Sequence, residues 1–177
     1  MKQNLFLVFL ILFSANSFAQ NNSTKWDKWK WLMGEWKGDG DGQPGQGEGT
    51  FSFKTDLDQM ILVRKSHTEF ATLKGKPAIH DDLLVIYPGY SGSMPKAVYF
   101  DNEGHSISYD YVVTDKTIVF TSQKEGIMPI FRLTYIKIDS VTVNTKFELS
   151  QDGTEFKAYM EGKSKKVKKE PAPAKKQ

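Results

Sequence analysis

A chain of 177 residues, 39% hydrophobic and free of cysteine, is about one domain in size, and disulfides, thiol catalysis and a cysteine-borne lipid are excluded. The formal net charge of +3 is unevenly spread: Lys163 to Gln177 holds seven lysines and one glutamate, whereas Gln20 to Gly162 carries 16 basic and 20 acidic residues. The body is therefore acidic and lacks the basic face that nucleic-acid binding requires.

Lys2, the apolar run Leu5 to Phe13 and Ser17-Phe18-Ala19 before Gln20 read as a secretory signal peptide over residues 1–19. They predict an exported protein, periplasmic or extracellular, in a bacterium. The run is too short to span a membrane, and no later segment is apolar enough to do so. Between Ser23 and Met33 the apolar residues Trp26, Trp29 and Leu32 or Met33 recur at helical spacing, with Ser23 or Thr24 available as a cap. This predicts one short helix.

Beyond it the helical period disappears. Short β-like runs follow near Glu35–Asp41, Gly47–Thr55, Gln59–Phe70, Ile79–Tyr87, Lys96–Asp101, His105–Val113, Thr117–Gln123, Phe131–Ile138, Val141–Leu149 and Glu155–Gly162. Turn residues such as Asp101-Asn102-Glu103-Gly104 separate them, so neighbours should pair as antiparallel hairpins. Ile107, Tyr109, Tyr111 and Val113 alternate with Ser106, Ser108 and Asp110, as half-buried strands do. The expected fold is all-β: an antiparallel barrel of about ten strands over residues 20–162 with a short N-terminal helix. Closure removes exposed strand edges. The glycines at 34, 38, 40, 42, 45, 47 and 49 suit its bends. The Lys/Pro/Ala stretch from Lys163 to Gln177 cannot bury apolar surface and reads as a disordered tail, either simply solvated or touching anionic envelope surfaces.

The run Gly34-x-Trp36-x-Gly38-x-Gly40, entered through Trp31-Leu32-Met33, resembles the opening motif of nitrobindin-like proteins and is similar to the Gly-x-Trp of lipocalins. Further echoes lie at Leu83-Leu84-Val85-Ile86-Tyr87, at Tyr99 to His105 and at Phe131-Arg132-Leu133-Thr134-Tyr135. The body looks like secreted bacterial relatives of that calycin barrel that carry only a domain-of-unknown-function label. The resemblance implies a ten-stranded antiparallel barrel. In nitrobindins proper it also implies a haem held by a histidine from the C-terminal strands, whereas this chain has no histidine from Ser106 to Gln177.

Three residue sets can carry chemistry. The aromatics Trp36, Tyr87, Tyr109, Tyr111, Phe120, Phe131 and Tyr135 can line a hollow for a small apolar ligand. Arg132 can clamp an acidic end of that ligand, as in intracellular fatty-acid carriers, unless Phe131, Leu133 and Tyr135 face inward; Arg132 then faces water or caps an end over Trp36. His67 with Glu69, and His80 with Asp82, share strand faces. If residue 67 pairs with residue 80, the two imidazoles meet and can hold a zinc-type ion; a slip of one residue sends them to opposite faces. Haem on His67, His80 or His105 is a further possibility. No Gly-x-Ser-x-Gly elbow supports a serine nucleophile. The reading reached is an exported, non-enzymatic barrel binding a lipid-like or fatty-acid-like ligand. The alternatives are a metal- or haem-dependent enzyme or sensor using His67 and His80, and a structural envelope protein with a packed barrel.

Overall fold

The structure, a computed structural model, describes residues 25–38, 48–72, 76–89 and 95–168. Ten strands follow one another: β1 Gly34–Gly38, β2 Glu48–Asp56, β3 Ile61–Phe70, β4 Ala78–Tyr87, β5 Lys96–Asp101, β6 Ser106–Val113, β7 Thr117–Ser122, β8 Ile130–Lys137, β9 Thr142–Ser150 and β10 Lys157–Lys166. Each pairs antiparallel with its sequence neighbour, and β1 pairs with β10 through Trp36 opposite Lys166, so the sheet closes on itself. The predicted signal peptide, the possible caps Ser23 and Thr24, and Gly40, Gly42, Gly45 and Gly47 lie outside the described residues. Among the described residues no helix is long and apolar enough to cross a membrane.

The predicted short helix is only a 3-10 turn, Asp27–Trp29. Its bonds run Trp29 N–H to Trp26 O (2.9 Å) and Lys30 N–H to Asp27 O (3.2 Å). The physical reason is the period. Trp26, Trp29 and Leu32 all have to be buried and are at most 2% exposed. Three residues per turn put i, i+3 and i+6 on one line, which a 3.6-residue helix does not. These three side chains plug one end of the barrel. Trp29 packs edge-on against Tyr111 at 5.4 Å, and the Trp36 indole N–H donates to Leu32 O at 2.8 Å. The last strand also runs four residues into the stretch assigned to the tail. The sheet tolerates these lysines because Ser164 fills the inner position, Lys165 Nζ donates to Thr142 Oγ1 (3.0 Å), and Lys166 lies 5.1 Å over the Trp36 ring.

Register and pleat together decide which side chains face in. Across β1 to β4 one inward row reads Trp36, Phe51, Ser66 and Asp82, and the next reads Phe53, Arg64 and Leu84. From the plugged end upward the interior is aromatic: Phe53 meets Tyr135 at 5.3 Å, and Phe120 touches Tyr111 at 5.7 Å and Tyr135 at 6.4 Å. β2 and β3 pack closely at Gly49, where a Cβ would come within 2.9 Å of Thr68 Oγ1.

The β2–β3 turn holds three consecutive residues in the left-handed region, Leu57, Asp58 and Gln59, with φ of 47°, 52° and 62°. None is glycine, and each such residue costs about 1–2 kcal/mol. The turn is fixed from outside by Trp26, whose indole N–H donates to Gln59 O at 2.8 Å, and by Asp56, whose carboxylate accepts the Leu57 N–H at 2.7 Å. Leu57 is exposed and packs little. Leu57→Gly should therefore raise unfolding stability by about 0.5–1 kcal/mol, the relieved strain less glycine's entropy cost. Denaturant titration checks this; a loss of stability would show that the turn is not strained.

Candidate functional site

The turns β5–β6, β7–β8 and β9–β10 lie at the end of the barrel opposite the Trp plug. Here the inner wall changes character. On one side Ile107, Phe131, Phe147 and Leu149 face inward and remain half-buried, with Phe131 and Phe147 stacked at 5.8 Å and nearly parallel. On the other side the inward positions of β3, β4 and β5 are polar: Arg64, Ser66 and Thr68; His80 and Asp82; Tyr99 and Asp101. An amphipathic mouth results, greasy on one wall and charged on the other.

Arg64 is the centre of the polar wall. It is 8% exposed, and its Nη1 is bonded to Asp82 Oδ1, the two side chains being 10% and 6% exposed. Burial alone would lower the guanidinium's pKa. The Asp82 carboxylate, together with Tyr135, Tyr99 and Tyr109, outweighs it and holds Arg64 above its ordinary value. The guanidinium also lies 5.6 Å from the Phe51 ring centre. Burial raises the pKa of the surrounding phenols Tyr99, Tyr109 and Tyr135, so they stay protonated and able to donate. That of Tyr111, further toward the plug, is pushed up to about 12.

Among the described residues nothing satisfies four buried side-chain polar atoms: Trp31 Nε1 in the segment before β1, and Arg64 Nε, Tyr135 Oη and Thr145 Oγ1 on the barrel strands. Tyr135 and Thr145 are cross-strand partners on the inner face, and Arg64 is one of the charges that act on the Tyr135 phenol. Unsatisfied donors in a desolvated interior are costly and want an acceptor.

From Asp82 a hydrogen-bonded chain leads out to the rim. His80 Nε2 lies 3.0 Å from Tyr99 Oη and 3.8 Å from Asp82 Oδ2, and its Nδ1 lies 3.1 Å from Glu103 Oε1. His80 Nδ1 faces the acceptor-only Glu103 carboxylate, and the single Tyr99 hydroxyl proton has two acceptors within reach, His80 Nε2 and Asp101 Oδ2 (3.2 Å). Burial would raise Asp101. Backbone N–H bonds from His105 and Glu103 and the His105 imidazole (2.9 Å) win, and its carboxyl is held below the usual range.

The sequence-predicted residues divide as follows. Trp36, Tyr109, Tyr111, Phe120 and Tyr135 are inward and join one buried cluster, and Phe131 stands at the mouth. Tyr87 is displaced: Ile86 takes the inner position, and Tyr87 is outward and 38% exposed. Arg132 is likewise outside. Leu133 and Tyr135 claim the inner face, so Arg132 Nε donates to Glu148 Oε2 across the strands at 2.8 Å, and its guanidinium lies 3.8 Å over the Phe156 ring. The cation over Trp36 is Lys166.

The expected meeting of two histidines fails by one residue, because β3–β4 pairs His67 with Asp81 and Thr68 with His80. His67 faces outward with Glu69 (3.3 Å) and Asp81 (2.7 Å); the Asp81 bond first, then Glu69, raises its pKa. His80 faces inward with Asp82, which Arg64 already engages. Among the described residues no group of three or more His, Asp or Glu side chains is arranged to hold a metal ion. Of the three histidines considered for haem, His67 and His80 have both ring nitrogens engaged, His105 has its Nδ1 on Asp101 Oδ2, and none of the strands β6 to β10 carries a histidine.

Outside the barrel, an open trough of about 770 Å³ crosses β1 to β5 between two rows of outward residues. Ser52, Lys65, Leu83 and Phe100 form one row; Thr50, His67 and Asp81 form the other. Its lining includes Ser66, Asp82 and Asp101 of the polar wall but not Arg64.

Compared with known proteins, the chain matches no family model, and no curated protein matches it.

Breaking a buried ion pair on one side strands the other charge, whereas replacing both partners by apolar groups of similar volume is close to neutral. Asp82→Ala should cost about 3–5 kcal/mol of stability, and the double variant Arg64→Met/Asp82→Leu should recover most of that. Equal losses in the two variants would show that the pair is not buried as a unit.

Proposed function

We propose that the protein is an exported, non-enzymatic carrier of the calycin kind that binds a small, largely apolar ligand in the mouth of its barrel. The apolar body of the ligand lies along Ile107, Phe131, Phe147 and Leu149, above the floor made by Tyr109 and Phe120. Its polar end accepts hydrogen bonds from Arg64, Tyr135 and Thr145. The observation that carries this reading is that Arg64 Nε and Tyr135 Oη, on side chains near enough for the guanidinium to act on the phenol, are both buried without a partner in a barrel whose inward Phe131 and Phe147 are only half-buried. An apolar wall supplies affinity by area, and a few polar groups fix orientation. Ligand sites in small barrels commonly lie in their mouths.

A packed barrel acting through its surface is the second reading. It is favoured by the aromatic network that runs unbroken from Trp26 through Trp29 and Phe120 to Tyr135.

An environment-sensitive apolar dye separates the two. On the carrier reading the full chain takes up one dye molecule per barrel. Phe147→Asp, at the mouth, weakens uptake about tenfold or more, because an aromatic contact worth roughly 1.5–3 kcal/mol is lost. Phe100→Asp, in the outer trough, leaves it unchanged. Sensitivity to Phe100 alone would move the site outside the barrel, and absence of uptake would favour the packed barrel.

A further inference from the structure

We propose that the ligand is an acid and that the barrel takes up one proton with it, which Asp82 accepts. This rests on the carrier reading and adds to it the chemical class of the ligand and the pH dependence of its binding.

The argument is one of charge balance. At the mouth end Arg64 is the inward-facing arginine, and Asp82 already neutralises it. The interior charges are thus each engaged, Arg64 by Asp82 and Asp101 by two backbone N–H groups and His105, while unmet hydrogen-bond donors remain: Arg64 Nε, and the hydroxyls of Tyr135 and Thr145. A guanidinium with Nη1 on Asp82 and Nε left unpaired matches an oxyanion better than any neutral group. An arriving carboxylate would then share one guanidinium with Asp82. Two carboxylates and one cation, out of water, leave an uncompensated buried charge, and one of the two must be neutralised.

The groups facing Asp82 say where the proton goes. Arg64 approaches from β3, His80 from Asp82's own strand β4, Asp101 from the opposed position on β5, Tyr99 from β5, and Tyr109 and Tyr135 act on it from β6 and β8. Asp101 is held ionised by two backbone N–H groups and by His105. The tyrosines are already protonated and Arg64 stays charged. Asp82 is the carboxylate whose main partner the ligand takes. His80 supplies the route: it is partly exposed at the rim beside Glu103 and stands 3.8 Å from Asp82 Oδ2. The balanced step is ligand anion plus one proton from solvent, giving Arg64 paired with the ligand oxyanion and Asp82 as a neutral acid. In that form Asp82 can donate a hydrogen bond to the ligand. The carrier would load where the medium is acidic and unload where it is alkaline.

The test uses the full chain with dodecanoate and, as the uncharged counterpart, 1-dodecanol. Titration calorimetry at pH 7.5 in two buffers of different ionisation enthalpy reads the number of protons taken up. The expected result is about one proton with dodecanoate and none with dodecanol, and a dodecanoate affinity that falls about tenfold per pH unit from pH 7 to 8.5. Asp82→Asn should bind dodecanoate at least as tightly, with proton uptake and pH dependence lost. Dodecanoate binding without proton uptake, or dodecanol binding alone, overturns the inference and leaves the carrier reading standing. Proton uptake that persists in Asp82→Asn also overturns it, since the proton then sits on the ligand. If neither compound binds, the carrier reading falls and takes the inference with it. Should Asp82→Asn fail to fold, the two-buffer titration of the unaltered chain decides.

Discussion

A charge on the inner face of a closed sheet has nowhere to go. Closure of β1 on β10 fixes every strand's register, and the pleat then assigns every second residue to the interior. Arg64 falls on that side, between Leu62 and Ser66, and its side chain is all but withdrawn from water. Everything distinctive about the molecule follows from accommodating it: Asp82 is drawn in as its counter-ion, and three protonated phenols face the pair. The ion pair is a poor source of stability compared with apolar residues of the same size. Its presence in an otherwise aromatic core is the strongest sign that the interior does something besides fill space.

The two ends of the barrel divide the labour. At the plugged end Trp26, Trp29 and Leu32 are sealed in, and Trp26 also pins a left-handed turn of three non-glycine residues. That end is dry and over-determined. At the mouth, inward aromatics remain half-exposed and polar groups link the interior to the rim through His80 and Tyr99.

Much of this architecture is legible in the sequence, because period-two alternation is a local signal. Ile107, Tyr109, Tyr111 and Val113 announce their face without reference to any partner, and the ten strands lie close to where alternation puts them. What was not legible is what depends on register. Whether His67 meets His80 turns on a single residue in the β3–β4 pairing, and no pattern within either strand fixes it. Arg64 is different, since a signal was present. Lys65, His67 and Glu69 occupy alternate positions and mark the outer face of β3, which leaves Leu62, Arg64 and Ser66 for the inner one. Arg132 carried the same signal in reverse, because Phe131, Leu133 and Tyr135 already claimed the interior. The helix expected near Trp26 failed for a subtler reason: spacing of i, i+3 and i+6 fits a 3-10 turn better than an α-helix.

The chain has two arginines, Arg64 and Arg132, so its guanidinium Nε–H spectrum should contain two signals. Following both by nitrogen-edited NMR while dodecanoate is added tests most directly whether the interior guanidinium is the ligand's anchor. Arg132, bonded to Glu148 on the outer face, serves as the internal reference. The account predicts that the Arg64 signal moves and sharpens as its Nε–H gains an acceptor, while the Arg132 signal stays fixed. A bound ligand that leaves Arg64 unmoved, or that shifts Arg132 instead, would contradict it.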